Sequence, residues 1–290
     1  MKSGFVNIVG NPNVGKSTLM NLLVGERISI ATFKAQTTRH RIIGIVNTDE
    51  AQIVFSDTPG VLKPSYKMQE AMLEFSKSAL EDADILLYMT DVVEKQEKNA
   101  DFLERVKKLK APVIVLINKI DLTEQKKLEE LVAFWHECLP DAEIIPISAK
   151  ARFNVEPLMQ RIMKILPEAP AWFGRDQLTD RPARFFVAEA IREKILLYYS
   201  KEIPYSVEVT VDEFHESKHD IRIHANIIVE RESQKGIIIG HNGIAIKKVG
   251  TEARKTLERF FDKKIYLETQ VKVDRDWRNN SQRLEQFGYK

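Results

Sequence analysis

Near the N-terminus, Gly10, Asn11, Pro12, Asn13, Val14, Gly15, Lys16 and Ser17 fit the spacing G-x-x-x-x-G-K-[ST], and Thr18 follows. This spacing suits polyphosphate chemistry. Glycines let backbone N–H groups approach an anion with no Cβ in the way. A helix starting at the loop's end adds its positive pole. Lys16 then serves as a point charge for the outer phosphates, and the Ser17 hydroxyl as a ligand for Mg²⁺. Three further clusters follow. Asp57-Thr58-Pro59-Gly60 supplies a carboxylate to hold Mg²⁺ through water and a glycine N–H for a γ-phosphate. Asn118-Lys119-Ile120-Asp121 ends in a carboxylate able to accept from N1–H and the 2-amino group of guanine. Adenine offers neither donor, and a site built on such a pair discriminates by about 10⁴- to 10⁵-fold. Asn118 would bond nearby backbone and the base, and the Lys119 stem would cover the base face. In Ser148-Ala149-Lys150 a backbone amide could reach the guanine carbonyl. Each short cluster is common alone; all four in this order are not.

The clusters need elements to position them. Apolar runs at 5–9, 41–47, 52–57, 84–90, 113–117 and 143–147 read as strands, with helices around 18–23, 69–80, 99–108, 125–138 and 157–166. This alternation predicts an α/β domain with a mostly parallel, doubly wound sheet, and 41–47 with 52–57 as an antiparallel hairpin. Each cluster falls at the carboxyl end of a strand, where such sheets bind ligands. Residues 1–167 form this expected domain, and the proline-punctuated stretch 168–182, with Trp172 and Phe173, is the expected linker.

Residues 183–290 read as α-β-β-α-α-β: a helix over 183–200, strands at 205–211 and 221–230, two helices flanking Gly240-His241-Asn242-Gly243, and a strand at 265–273. This α+β pattern resembles a type II KH domain, whose G-x-x-G loop lets an RNA backbone come close. Lys235 and Gly236 precede the loop, and Lys247, Lys248, Arg254 and Lys255 follow it on the next helix as candidate phosphate partners. Ile237–Ile239, Ile244 and Ile246 could floor the RNA groove, build the core, or both. His215 and His219, four apart, read as solvated residues of a hairpin turn. The basic tail around Trp277 either extends the RNA surface or docks on its own domain.

The whole chain resembles the translation-factor-type GTPases, and most closely the Era family, in its G-x-P-N-V-G-K-S-T-L loop and in Gln36-Thr37-Thr38-Arg39-His40-Arg41. The resemblance implies a P-loop GTPase domain joined to a type II KH domain. It implies GTP hydrolysis, binding of small-subunit (16S) ribosomal RNA near its 3′ end, and a role in 30S ribosomal subunit assembly. It also implies that the second threonine, Thr38, contacts Mg²⁺ and the γ-phosphate, although the sequence leaves Thr37 open. Many related GTPases follow D-x-x-G with a glutamine that orients water. Val61 cannot do so, and slow intrinsic hydrolysis is expected, resting on Lys16, Gly60, Thr38 and an outside contribution. Relatives with the same loop use K⁺, held partly by the residue matching Asn13. A binding module with incidental turnover and a membrane-attached signalling GTPase are the alternatives. The resemblance allows peripheral association with the inner membrane.

Composition fits this reading. The 290 residues are 43% hydrophobic and 30% charged, which describes a folded globular protein of about two domains. No apolar run reaches the roughly 18 residues of a spanning helix, and no signal-peptide pattern precedes the loop. A single cysteine, Cys138, forms no internal disulfide and suits a reducing cytoplasm. A cytoplasmic monomer is expected. Residues 1–180 carry 23 Lys and Arg against 25 Asp and Glu, whereas residues 231–290 carry 14 against 8, so the basic end points to a polyanionic partner.

Overall fold

A computed structural model describes residues 1–94 and 99–289. Lys290, the last residue of the expected second domain, lies outside the described residues. The chain divides into two compact units, residues 1–65 with 69–180, and residues 66–68 with 181–290.

The first unit runs β1 (Lys2–Gly10), α1 (Lys16–Val24), β2 (Ile42–Asn47), β3 (Ala51–Asp57), α2 (Lys67–Glu81, from Gln69 on), β4 (Ile85–Asp91), α3 (Ala100–Val106), β5 (Val113–Asn118), α4 (Gln125–Cys138), β6 (Glu143–Pro146) and α5 (Val155–Ile165). Its sheet has the order β2-β3-β1-β4-β5-β6, parallel except for the antiparallel β2–β3 pair. β3 and β4 are buried along their whole length, as central strands covered on both faces must be. Successive strands leave β1 on opposite sides, towards β3 and towards β4, and this reversal opens a crevice at the carboxyl ends. The register brings Ile8 beside Asp57 and Asp91 beside Asn118.

The expected linker is tied down over most of its length. Gln52, fully buried, accepts from Trp172 N (2.7 Å) and Phe173 N (2.9 Å) and donates to Phe173 O (2.8 Å). Ile45 N donates to Leu178 O (2.8 Å), and Thr179 Oγ1 to Ile43 O (2.6 Å). The Trp172 ring meets Phe5 edge-on at 5.4 Å. The segment thus covers the open edge of β2, a place where unpaired backbone groups would otherwise face solvent. Proline content alone cannot reveal this, because the anchor is one glutamine about 120 residues upstream.

The second unit comprises α6 (Ala183–Tyr198), β7 (Glu208–Glu216), β8 (Asp220–Val229), α7 (Glu232–Ile239), α8 (Ile244–Phe261), β9 (Lys264–Val273) and α9 (Ser281–Gln286). β7 and β8 are antiparallel, and β8 and β9 parallel. The parallel pair requires a long crossover, which α7, the glycine loop and α8 supply. Ile191, Ile195, Ile221, Ile227, Ile238, Val249 and Leu257 fill the core. β7 starts later than the sequence pattern indicates, because 203–205 forms a short 3₁₀ turn containing Pro204, and its pairing with β8 carries it on to Glu216. His215 therefore lies in β7, opposite Arg222, and is not a turn residue; its side chain is exposed.

The C-terminal tail docks on its own unit. Trp277 is fully buried and donates from Nε1 to Ser206 O (3.2 Å), and its ring lies 5.6 Å from Phe287. The Asn280 side chain caps α9, and Tyr289 donates to Glu208 Oε2 (2.6 Å). Among the described residues no helix is long and apolar enough to cross a membrane.

Candidate functional site

The loop Gly10–Ser17 leaves β1 and turns into α1 at Gly15, whose φ of 105° is open to glycine and strained for other residues. A Cβ there would also lie 2.3 Å from Asn118 Nδ2. Pro12, Asn13, Gly15, Lys16, Ser17, Thr18, Thr37, Thr38, Thr58, Gly60 and Lys119 line one cleft of about 180 Å³. Lys16 is buried at its base and donates to Gly10 O (3.0 Å) and Asn11 O (2.7 Å). Burial pulls its pKa down to about 8, against the opposing pull of Asp57 and Glu94. An ammonium desolvated in this way is primed to exchange two loop carbonyls for a polyanion.

Ser17 Oγ donates to Asp57 Oδ2 (2.7 Å) and lies 2.8 Å from Thr38 Oγ1, which itself donates to Asp57 Oδ2 (3.2 Å). Asp57 is fully buried, its Oδ1 has no hydrogen-bond partner, and burial raises its pKa despite Lys16 and the hydroxyls around it. Two hydroxyls and a carboxylate with an unsatisfied buried oxygen form an all-oxygen set. Such a set fits a hard divalent cation such as Mg²⁺. Thr37 turns elsewhere, with Oγ1 donating to Lys34 O (2.5 Å) and lying 2.7 Å from Thr32 Oγ1. Of the two threonines, the fold brings Thr38 to Ser17 and Asp57.

The loops after β5 and β6 meet beside the phosphate loop. Asn118 is buried, donates to Val14 O (2.7 Å) and accepts from Ala149 N (3.0 Å), so one side chain ties three loops together. Lys119 donates to Asn13 O (2.7 Å) and pairs with the Asp91 carboxylate. Asp121 is exposed and accepts from Ser148 Oγ (2.6 Å), which fixes its orientation, while Lys150 points into solvent. Asp121 lies outside the phosphate cleft, in a shallow neighbouring one with Leu122, Thr123, Glu124 and Lys127. Val61 is buried in the core beside β1 and β4, so its side chain does not face the cleft. Sequence reasoning missed Asp91, although the carboxyl end of β4 is a place where such sheets carry function.

In the second unit Gly240 (φ 71°), Asn242 (φ 48°) and Gly243 (φ 73°) make a tight left-handed bend between α7 and α8. A Cβ on Gly240 would lie 2.6 Å from Ala245 Cβ, whereas Gly243 faces open space. His241, Asn242, Lys247 and Lys248 are exposed around it; Lys235 is half-buried on α7, with Gly236 exposed beside it. Lys248 sits over the Tyr198 ring at 4.2 Å. Arg254 and Lys255 stand about three turns along α8, each engaged by a carboxylate of the same helix, Glu258 at 2.9 Å and Glu252 at 2.8 Å. The isoleucines divide: Ile238 is core, whereas Ile237 and Ile244 are 50% and 67% exposed beside the loop.

Residues 5–119 match the family model described as a 50S ribosome-binding GTPase, and residues 202–278 match the KH domain model. GTPase Era from a Geobacter species is 45% identical over 290 residues, covering 99% of this chain and 98% of its own. The chain belongs to the Era family of GTPases. A crystal structure of Aquifex aeolicus Era bound to GDP and AlF₄⁻ matches this Era-family chain with a TM-score of 0.95 and 41% identity, over 100% of this chain and 99% of the other. An Era in complex with MgGDPNP and nucleotides 1506–1542 of 16S ribosomal RNA matches equally, with a TM-score of 0.95 and 41% identity over 100% and 99% of the two chains. The fold is thus that of an Era GTPase: a parallel-sheet P-loop domain followed by a KH domain.

Proposed function

We propose that the chain is a GTP-hydrolysing switch that binds small-subunit (16S) ribosomal RNA through its second unit and acts in assembly of the 30S subunit. One observation carries the reading. A relative of 41% identity, alike over its full length, holds MgGDPNP and a 16S rRNA segment together. The family description of residues 5–119 names the large subunit, but the likeness extending over both units has the greater weight.

On this reading the Gly10–Thr18 backbone cradles the phosphates, with Lys16 exchanging its loop carbonyls for the β- and γ-phosphates. Ser17 and Thr38 hydroxyls, with Asp57 behind them, hold Mg²⁺, which when bound neutralises charge on the phosphates. Gly60 N–H meets the γ-phosphate. Asp121 reads guanine, Asn118 keeps its loop in register with the phosphate loop, and the Ala149 region closes over the base. With Val61 turned into the core, no side chain at that position orients water, so the unassisted reaction is slow. Gly240–Gly243 admits an RNA backbone, and Lys235, Lys247 and Lys248 neutralise its phosphates; Arg254 and Lys255 first need to leave their carboxylates. Turnover measured with and without small subunits tests the proposal. The expected result is stimulation by the subunit, and unchanged turnover would favour a module whose hydrolysis is incidental.

Asn13 supports a further expectation. Its φ is 66°, it is exposed at the cleft, and its side-chain amide makes no hydrogen bond to the described residues. A free amide oxygen there suits a monovalent cation beside the phosphates. Hydrolysis should run faster in K⁺ than in Na⁺ at matched ionic strength, and Asn13→Ala should remove that difference. Equal rates of the unsubstituted chain in both salts would contradict the assignment.

A further inference from the structure

A chain of side-chain hydrogen bonds runs behind the phosphate loop and ends on the segment after Gly60. Thr90 Oγ1 donates to Glu94 Oε1 (2.5 Å), and Asn11 Nδ2 donates to Glu94 Oε2 (2.8 Å). Asn99 Nδ2 donates both to Asn11 Oδ1 (2.6 Å) and to Val61 O (2.9 Å). An amide nitrogen carries two hydrogens, so both are committed. The Val61 N–H is held in turn by Gly10 O (3.0 Å). The backbone of Val61 is therefore gripped at both ends, once by the phosphate loop and once by Asn99.

Asn99 forgoes its ordinary local role to do this. It occupies the N-cap of α3, a position where asparagine normally accepts from the first-turn N–H groups. Here it stands at φ 63° with no side-chain cap bond. A left-handed, non-glycine backbone and an unused cap are costs that persist where another contact demands the geometry. The contact made is with a carbonyl 38 residues away, that of the residue following Gly60.

We propose that Asn99, anchored through Asn11 and Glu94, is a positioning residue for hydrolysis. It fixes the Gly60–Val61 backbone, so that the Gly60 N–H and the path of the attacking water are set without a polar side chain at position 61. The inference rests on the GTPase reading of the same site. On that reading Gly60–Val61 serves the γ-phosphate, which GDP lacks, and Asn11 stays held by Glu94, so GDP affinity should depend little on Asn99.

The test is single-turnover hydrolysis at saturating GTP by the full chain, the Asn99→Ala variant and the Asn99→Asp variant. Asn99→Asp keeps the shape but turns a donor into an acceptor facing two oxygens. Both variants should hydrolyse about 10- to 100-fold more slowly, the scale expected of a misplaced reacting group. GDP affinity should stay within about twofold, while affinity for GDP with AlF₄⁻ falls in step with the rate. A merely structural role would lower GDP affinity and thermal stability together with the rate. Turnover within about threefold of the unsubstituted chain, or a loss matched by GDP affinity, would overturn the proposal. Failure of the GTPase reading would appear instead as no turnover in the unsubstituted chain.

Discussion

Asp121→Asn is expected to weaken GTP binding by about 10⁴-fold, worth about 5 to 6 kcal/mol, and to create affinity for xanthosine triphosphate. The carboxylate of Asp121 is exposed, and Ser148 Oγ holds its Oδ1 at 2.6 Å. An asparagine keeping that bond would turn its NH₂ towards the 2-amino group of guanine, setting donor against donor. Xanthine carries a carbonyl where guanine has its 2-amino group, so the same NH₂ finds an acceptor. Titration of both nucleotides against both proteins checks the exchange. If Asp121→Asn keeps its GTP affinity, the carboxylate does not read the base. Loss of both nucleotides would mean that the loop has collapsed, and Asn118, which joins three loops, is the residue through which that would spread.

The second large effect belongs to the glycine loop. Gly240→Asp together with Gly243→Asp should abolish RNA binding and leave GTP affinity nearly intact. The two positions fail for different reasons. At Gly240 any Cβ meets Ala245 at 2.6 Å, with φ at 71°, so the loop must move. At Gly243 there is space, but φ is 73°, and on this reading an added carboxylate would repel the phosphates that the loop admits. A single Gly243→Asp substitution therefore avoids the clash but not the backbone strain, and salt dependence isolates the repulsion: RNA binding should weaken strongly and recover in part as salt rises. Gel-shift titration with a 16S rRNA 3′-end fragment measures the effect, beside a GTP titration on the same preparation. Survival of rRNA binding in the double variant would refute the role given to this loop.

The parts legible in the sequence were those with local causes. Gly15 and Lys16 are recognisable because the phosphate loop is built from consecutive residues, and β3 and β4 because a strand buried on both faces is apolar throughout. Contacts between distant residues were not legible. Thr38 could be separated from Thr37 only once its loop was laid against Ser17 and Asp57. Asn99 and Glu94 act 88 and 83 residues from Asn11 in the loop that they support, and neither type nor spacing marks them. The polar tail hid its docking because only a few scattered residues, Trp277, Leu284 and Tyr289, are buried in it. Arg254 and Lys255 read as candidate phosphate partners in the sequence, whereas α8 pairs each with its own glutamate.

The central claim, a GTP-dependent binder of small-subunit rRNA, is met most directly by crosslinking the GTP-bound chain to cellular RNA and mapping the adducts. The account predicts one cluster of crosslinks near the 3′ end of 16S ribosomal RNA, attached to the second unit around Gly240–Gly243 and lost in the double aspartate variant. Crosslinks spread over unrelated RNAs, or a cluster that persists in that variant, would contradict it.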